Sequence, residues 1–370
     1  MRNLFILLIL LALTGCGKHG TYTQAFLDQA EEDRLKMRGA MKYDTAVQQF
    51  ESGDLELALQ SANATIGISP DNPNGYRILG RILLEKGMAY PASAAFKHGE
   101  ELNPHDPKLA YFHGIAFERL SLNEDALAAY RRASVADPTS VPYMLAIAEV
   151  LVELDRLAEA RTFLEQTERY FVSSPAFRQM LGHIALLQDN LDDAVRFLTE
   201  ATILSPRDPV LAEDLCYAQI AAGQFARAEA TLRRLDAEGP KAYAKRRDLH
   251  HLHAACLIEL DRPVEARTIL YAIVRTKDGA KDLDAWVKLI DVALAMRDDD
   301  HLLTVAFRLM SIAPARHEGY LAMALWQQRR GDHAGALRSI DRAIKRAGDN
   351  PAPLHLRDKL VQINHIDGAG

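Results

Sequence analysis

Few groupings of residues in this chain could do chemistry. His250, His251 and His253 form its densest cluster of metal-ligating side chains. On a helix His250 and His253 would share a face while His251 points elsewhere. The only carboxylate within four residues of them is Asp248. A zinc site wants three or four converging ligands, so a solvated or interface cluster is the preferred reading. The run Asp298-Asp299-Asp300 falls at a turn between helices. It reads as a solvated turn with one aspartate capping the next helix, and calcium as the remote alternative. Gly15-Cys16-Gly17-Lys18-His19-Gly20 matches the dinucleotide fingerprint as a string. It follows an N-terminal apolar run and not a strand of a βαβ unit, so it lacks the context that would make it a phosphate cradle. No Gly-x-Ser-x-Gly, His-Glu-x-x-His or Cys-x-x-Cys occurs, and these would mark hydrolase, zinc-protease and redox or metal chemistry. We therefore expect no catalytic residue, no cofactor and no metal, and a protein that is not an enzyme.

Cys16 has a different context. Arg2 precedes an apolar core of ten residues, Leu4 to Leu13. A permanent membrane helix needs about 20 such residues, whereas a secretion signal needs about half that. The core ends in Leu13-Thr14-Gly15-Cys16. This resembles the lipobox of bacterial lipoproteins. The resemblance implies that the Cys16 thiol takes a diacylglycerol, that residues 1–15 are cleaved as a signal peptide, and that the new amine is acylated. Several chains, at about 0.8 kcal/mol per buried methylene, hold a protein stably where one does not. Gly17 is not the aspartate that retains enteric lipoproteins at the inner membrane, so the resemblance points to the outer membrane, facing the periplasm.

The remainder is ordinary globular chemistry: 48% hydrophobic, 25% charged, with a formal charge of −6. Loss of residues 1–15 removes only Arg2 and takes −6 to −7. A mildly acidic body argues against nucleic acid and against flat adsorption to anionic lipid. The two other cysteines, Cys216 and Cys256, could form a disulfide in an oxidising compartment. Buried free thiols are the preferred reading, because free cysteine packs like a small hydrophobe.

The elements that position these residues follow a strict period. Prolines fall at 70, 104, 138 and 206, and again at 73, 107, 175 and 209, with every gap 34 residues or twice that. Small residues recur at Ala46, Gly80, Gly114, Ala148, Gly182, Cys216, Ala254 and Ala324. Twelve residues after each comes an alanine, from Ala58 and Ala92 to Ala266 and Ala336. Glycine inside a helix costs about 1 kcal/mol relative to alanine. Its recurrence implies two helices too close for a side chain, with the matching alanine as the point of contact. Such a period marks stacked helix pairs. Tyr76, Leu79, Gly80, Ala92, Phe96 and Pro104, and then Ala110, Gly114, Phe117, Ala126, Tyr130, Ala133 and Pro138, resemble the tetratricopeptide signature.

That resemblance implies an all-α, right-handed α-solenoid of about nine helix pairs, starting near 39, 73, 107, 141, 175, 209, 247, 283 and 317. Residues 39–242 hold units one to six and 243–350 units seven to nine. An insertion of about four residues, within the basic stretch Lys241 to Arg247, is expected to act as a bend or joint. Ile290 and Leu302 stand at small positions of the eighth pair, whose helices should sit further apart. Residues 16–38 read as the lipidated N-terminus and a spacer with a partly docked capping helix, resting on Phe26, Leu35 and Met37. Residues 351–370 read as a C-terminal capping helix, carrying Leu354, Leu356, Leu360 and Val361, with a disordered tail from Asp367.

In the same family, ligands lie on the concave face, against the second, fifth, ninth and twelfth positions of each first helix. Here that register gives Tyr43, Val47, Phe50, Arg77, Arg81, Tyr111 and Ile115, then Glu149, His183, Glu213, Tyr217, Asp291 and Leu325. Arg77 and Arg81, four apart, could together hold a carboxylate. The tyrosines and Phe50 could equally pack between neighbouring helices. With the lipobox, the pattern is similar to the lipoproteins of Tad/Flp pilus assembly and to secretin pilotins. It implies a periplasmic scaffold that binds envelope proteins while a pilus or secretion machine is assembled. The alternatives are an adaptor for periplasmic proteases or peptidoglycan hydrolases and, remotely, a metal-dependent enzyme using the histidine cluster.

Overall fold

The computed structural model describes residues 21–367, all of whose regular structure is helical. Residues 1–20, with the apolar core and Cys16, lie outside the described residues, as do 368–370 of the tail. The chain divides into two compact units, Met1–Val172 and Ser173–Gly370. In the first, α1 (Thr21–Glu51) pairs with α2 (Leu55–Ile68), α3 (Pro73–Glu85) with α4 (Ala89–Leu102), α5 (Pro107–Arg119) with α6 (Asn123–Ala136), and α7 (Val141–Glu153) with α8 (Leu157–Thr167). The second unit opens with α9 (Pro175–Leu187) and α10 (Leu191–Leu204), then α11 (Pro209–Ala221) and α12 (Phe225–Glu238). A one-turn helix, α13 (Pro240–Tyr243), precedes α14 (Arg247–Glu259) and α15 (Pro263–Val274). Then come α16 (Leu283–Ala295) with α17 (Asp299–Ile312), α18 (Glu318–Arg329) with α19 (His333–Ile344), and the terminal α20 (Ala352–Asp367). Among the described residues there are nine pairs, and each unit is a run of right-handed α-solenoid.

The repeated sequence signals do local work. Pro73, Pro107, Pro175 and Pro209 open first helices, where a missing N–H costs nothing. Asn72, Asp106, Ser174 and Asp208 stand just before them, each accepting a backbone N–H. Every turn within a pair has one residue at positive φ: Gly53, Gly87, Ser121, Asp155, Asp189, Gly223, Asp261, Arg297 and Gly331. Glycine fits that region without strain, while Ser121 and Arg297 adopt it at a cost of about 1 kcal/mol. The run Asp298–Asp300 behaves as expected, since Asp298 caps α17 by accepting from His301 N at 3.0 Å.

The period also sets the packing, though not through the alanines alone. Ala58, Ala92, Ala126, Ala160, Ala194, Ala228, Ala266 and Ala336 are fully buried. The residue that fills the space over each glycine is a different one. A Cβ on Gly80 would run into the Phe96 ring and one on Gly114 into the Tyr130 ring. One on Gly182 would lie 2.6 Å from Leu198 Cγ. The expected contact of Gly114 with Ala126 is thus corrected: the opposing group stands sixteen residues on, not twelve. That register exchanges volumes. Glycine faces Phe, Tyr or Leu; Ala148 and Ala254 match Leu164 and Leu270; and Ala324 matches Ile340. In the eighth pair the sizes reverse, because Ile290 is followed sixteen residues on by Ala306, and both are buried in one cluster. Ala306 makes room for part of Ile290, yet the two helices of this pair still approach each other less closely than those of the glycine pairs, as the large residues at small positions led us to expect.

Three boundaries differ from expectation. Residues 21–38 continue directly into the first pair as one 31-residue helix. Leu35 shares a cleft with Ile68 and Pro70, but Phe26 and Met37 are exposed, so the segment extends the first helix more than it caps the array. Most of the insertion at 241–247 is exposed, but two of its side chains anchor it. Tyr243 is buried, and the Arg246 guanidinium donates to both carboxylate oxygens of Glu213 at 2.8 and 2.9 Å and to Asp248 at 2.7 Å. The division between units falls at Val172, where the repeat lacks its proline and a 3₁₀ turn, Glu168–Tyr170, ends α8. At the C-terminus Leu356 packs against the Ala324, Ala336 and Ile340 cluster while Leu354 is exposed; α20 runs through Asp367.

Candidate protein-binding groove

First helices place the seven expected groove residues on one side of the first unit, all of them half-buried. Contacts run from each first helix to the next. Arg77 Nη1 donates to Asp106 Oδ2 at 2.6 Å and its Nη2 reaches Tyr43 Oη at 3.5 Å. The Arg81 guanidinium lies over the Phe50 ring at 4.7 Å and over the Phe112 ring at 5.0 Å. Tyr111 stands between Tyr130 at 5.5 Å and Tyr143 at 5.0 Å. Tyr43, Val47 and Phe50 pack against Ala46, Ala58 and Ile78 below. The aromatic residues therefore brace neighbouring helices and still present an edge to solvent. The two arginines do not form a ready carboxylate clamp, because Asp106 already neutralises Arg77 and two rings cover Arg81. Asp106 does double duty: its other oxygen caps α5 through Lys108 N at 2.9 Å.

The charge on this face that no ion pair holds, among the described residues, is negative. Glu118, at the twelfth position of α5, accepts the Tyr130 hydroxyl. Burial holds its carboxyl above the ordinary value and Glu153 adds to this, while the Tyr130 hydrogen bond and the nearby Arg119 charge work against it. Glu149 is raised by desolvation and by the fields of Glu118 and Glu153. Glu118 and Phe112 are the groove residues that sequence reasoning passed over. Glu118 occupies the same register as Phe50, which would have found it. Phe112 and Asp106 lie outside that register and only the geometry reveals them.

These raised carboxyls carry a pH signature. A carboxyl whose folded value lies above its unfolded value of about 4.3 opposes folding once it ionises, so its cost appears as pH rises through that window. Glu118→Gln keeps an acceptor for Tyr130 and removes the charge. It is expected to raise the thermal midpoint at pH 7 and to leave it unchanged at pH 3.5. Melting curves at the two pH values check this; equal shifts at both would mean that the effect is packing and not charge.

In the second unit the mapped residues are largely engaged. His183 Nε2 lies 2.9 Å from Asp214 Oδ2, which also accepts from Gln179 at 2.6 Å. Glu213 is held by Arg246, Leu325 packs into the core, and Tyr217 is exposed. Burial raises the Asp291 carboxyl. The histidine cluster is divided between partners. His251 Nε2 lies 3.0 Å from Asp282, His253 Nδ1 lies 3.1 Å from Tyr243 Oη, and the His250 ring packs on Tyr243 at 4.9 Å. Burial lowers the His250 and His253 values. Among the described residues no three or more His, Cys, Asp or Glu side chains converge as a metal site. Cys216 and Cys256 are buried free thiols, pushed by burial up to about 12 and about 11.

Models of the tetratricopeptide repeat match residues 145–209 and 185–249. The chain is similar to several solved structures. Pseudomonas aeruginosa PilF shares 11% identity, covering 56% of this chain and 94% of that one, with a TM-score of 0.48. PilW, described as a widely conserved type IV pilus biogenesis factor, shares 17% over 55% and 94%, with a TM-score of 0.48. A tetratricopeptide repeat protein from Parabacteroides merdae shares 18% over 70% and 99%, with a TM-score of 0.48. No curated protein matches the sequence. Stacked helix pairs of this kind serve as protein-binding scaffolds, and no described helix is long and apolar enough to cross a membrane.

Proposed function

We propose that this chain is a lipid-anchored scaffold at the periplasmic face of the outer membrane. It holds segments of envelope proteins while a machine such as a pilus or secretion system is assembled. Acylation at Cys16 supplies the anchor. The face lined by α1, α3, α5 and α7 supplies the binding surface.

One observation carries this reading. Tyr43, Phe50, Arg77, Arg81, Phe112 and Tyr111 form an uninterrupted row across three first helices, next to Glu118, Glu149 and Glu153, which no ion pair holds among the described residues. Rigid aromatic edges and charge beside them are what binding hot spots are made of. The row suits an extended or helical segment with apolar side chains and a basic residue opposite the glutamates. Glu149→Lys is the direct probe, because Glu149 is exposed and makes no hydrogen bond or ion pair among the described residues, and its interaction with Glu118 and Glu153 is repulsive. Reversing it is expected to lower partner recovery from cross-linked envelopes by tenfold or more. Arg131→Glu on α6 serves as the control and should leave recovery unchanged. Equal recovery from the two variants would place the binding surface elsewhere.

A further inference from the structure

We propose that the N-terminal half of α1 is a self-association surface on which two copies of this chain pair antiparallel. The observation is a stripe with no cover. Phe26, Leu27, Met37 and Met41 are 69%, 49%, 68% and 64% exposed, and Ala30 is exposed with them. At about 100° per residue, Phe26, Ala30, Met37 and Met41 fall within a sector of about 60°. Leu35 faces the other way, toward Ile68 and Pro70, so the stripe points away from the body of its own chain.

Charge selects the occupant. From 24 to 42 the helix carries Asp28, Glu31, Glu32 and Asp33, and after them Arg34, Lys36, Arg38 and Lys42. A parallel pair would set each block against its like. An antiparallel pair sets each against its opposite, and the apolar positions then match about a two-fold axis between Asp33 and Arg34. Phe26 meets Met41 of the second copy, and small Ala30 meets large Met37. In an antiparallel pair each flank of a helix meets the same flank of its mate. On one flank Glu31 then faces Arg34 and Arg38, and on the other Asp33 faces Lys36. The same alignment serves both copies, as a closed two-fold interface requires. Within one chain Arg34 pairs with Glu31 at 3.1 Å and Lys36 with Glu32 at 2.6 Å, all about two-thirds exposed. Pairs so solvated exchange partners at little cost.

The overlap from Phe26 to Met41 is about 24 Å of helix. It is smaller than a standard interface, so the expected dissociation constant is on the order of micromolar or weaker. Two chains each carrying a weak groove would then hold a partner with two sites more tightly than either alone.

The test uses the full chain with Cys16→Ser, followed by sedimentation over a concentration series. Reversible dimers are expected, and Met37→Glu should weaken them at least tenfold. Glu31→Lys with Asp33→Lys should stay monomeric, as should Arg34→Glu with Lys36→Glu and Arg38→Glu. Mixing those two variants should restore dimers. Orientation is read by oxidising a mixture of Ala30→Cys and Met37→Cys chains, which should cross-link to each other and not to themselves. Failure of the charge variants to rescue one another, or a Met37→Cys self-cross-link, overturns the antiparallel pair. A wild type that stays monomeric but binds phosphatidylglycerol vesicles through Met37 also overturns the proposal and gives the stripe to lipid.

Discussion

Replacing Arg77 and Arg81 together by glutamate is expected to destabilise the Met1–Val172 unit by about 3 kcal/mol. Each arginine contributes separately. The Arg77 and Asp106 side chains are only 18% and 12% exposed. Removing one partner of a well-buried pair typically costs about 3–5 kcal/mol, because the other charge is left desolvated. The remaining exposure here brings that toward 2 kcal/mol, and glutamate adds repulsion of Asp106. Asp106 also caps α5, so a displaced carboxylate loosens the start of that helix. Arg81 loses contact with the Phe50 and Phe112 rings, about 0.5–1 kcal/mol at a partly exposed site. Urea unfolding, followed by hydrogen exchange of α3 and α5, measures the loss. Exchange unchanged in both helices would show that the arginines are free in solution. The consequence for function is practical. Partner loss in this double variant would report a damaged scaffold, so the exposed Glu149 is the cleaner probe of binding.

Much of the fold was legible because solenoid packing repeats. Each pair touches only its neighbours, so every demand on residue size recurs at one period. The all-α succession of nine helix pairs could be read this way. The same period hid what does not repeat. It marks Gly80 and Gly114 as small without saying which group fills the space, and the nearer Ala126 was the natural choice over Tyr130. It reports Ile290 as an exception, while the compensation at Ala306 appears only when positions sixteen apart are compared. Asp106 caps α5, and its second task, neutralising Arg77, depends on a neighbour 29 residues away in sequence. The expected groove residues do lie together on first helices, but the charge free on that face was misread. Nothing in the repeat announced the long α1 either. No proline or cap interrupts residues 21–51, so the helix passes through Gly39, which is buried where a Cβ would collide with Ser69.

Gly114→Leu tests the corrected register. Leucine at this position puts atoms where the Tyr130 ring lies. That ring is 1% exposed, its hydroxyl is held by Glu118, and Tyr111 stacks beside it at 5.5 Å. It has no open space to enter, so either α5 and α6 part or the hydroxyl loses its acceptor. Overpacking of this kind costs about 1–3 kcal/mol. The better helix propensity of leucine returns less than about 1 kcal/mol of it, so a net loss near 2 kcal/mol is expected. Loosening should be greatest in α5 and α6 and fall off toward α3 and α7, as coupling between nearest neighbours requires. Hydrogen exchange reads this directly, and full protection of α5 and α6 in the variant would refute the register. Compensation is the sharper check. Gly114→Ala with Tyr130→Leu copies the fourth pair, where Ala148 and Leu164 are both fully buried. The double variant should be more stable than Gly114→Ala alone, since leucine vacates the space the new methyl needs. If the contact were instead with Ala126, trimming Tyr130 would only add a cavity, and the double variant would be the less stable of the two.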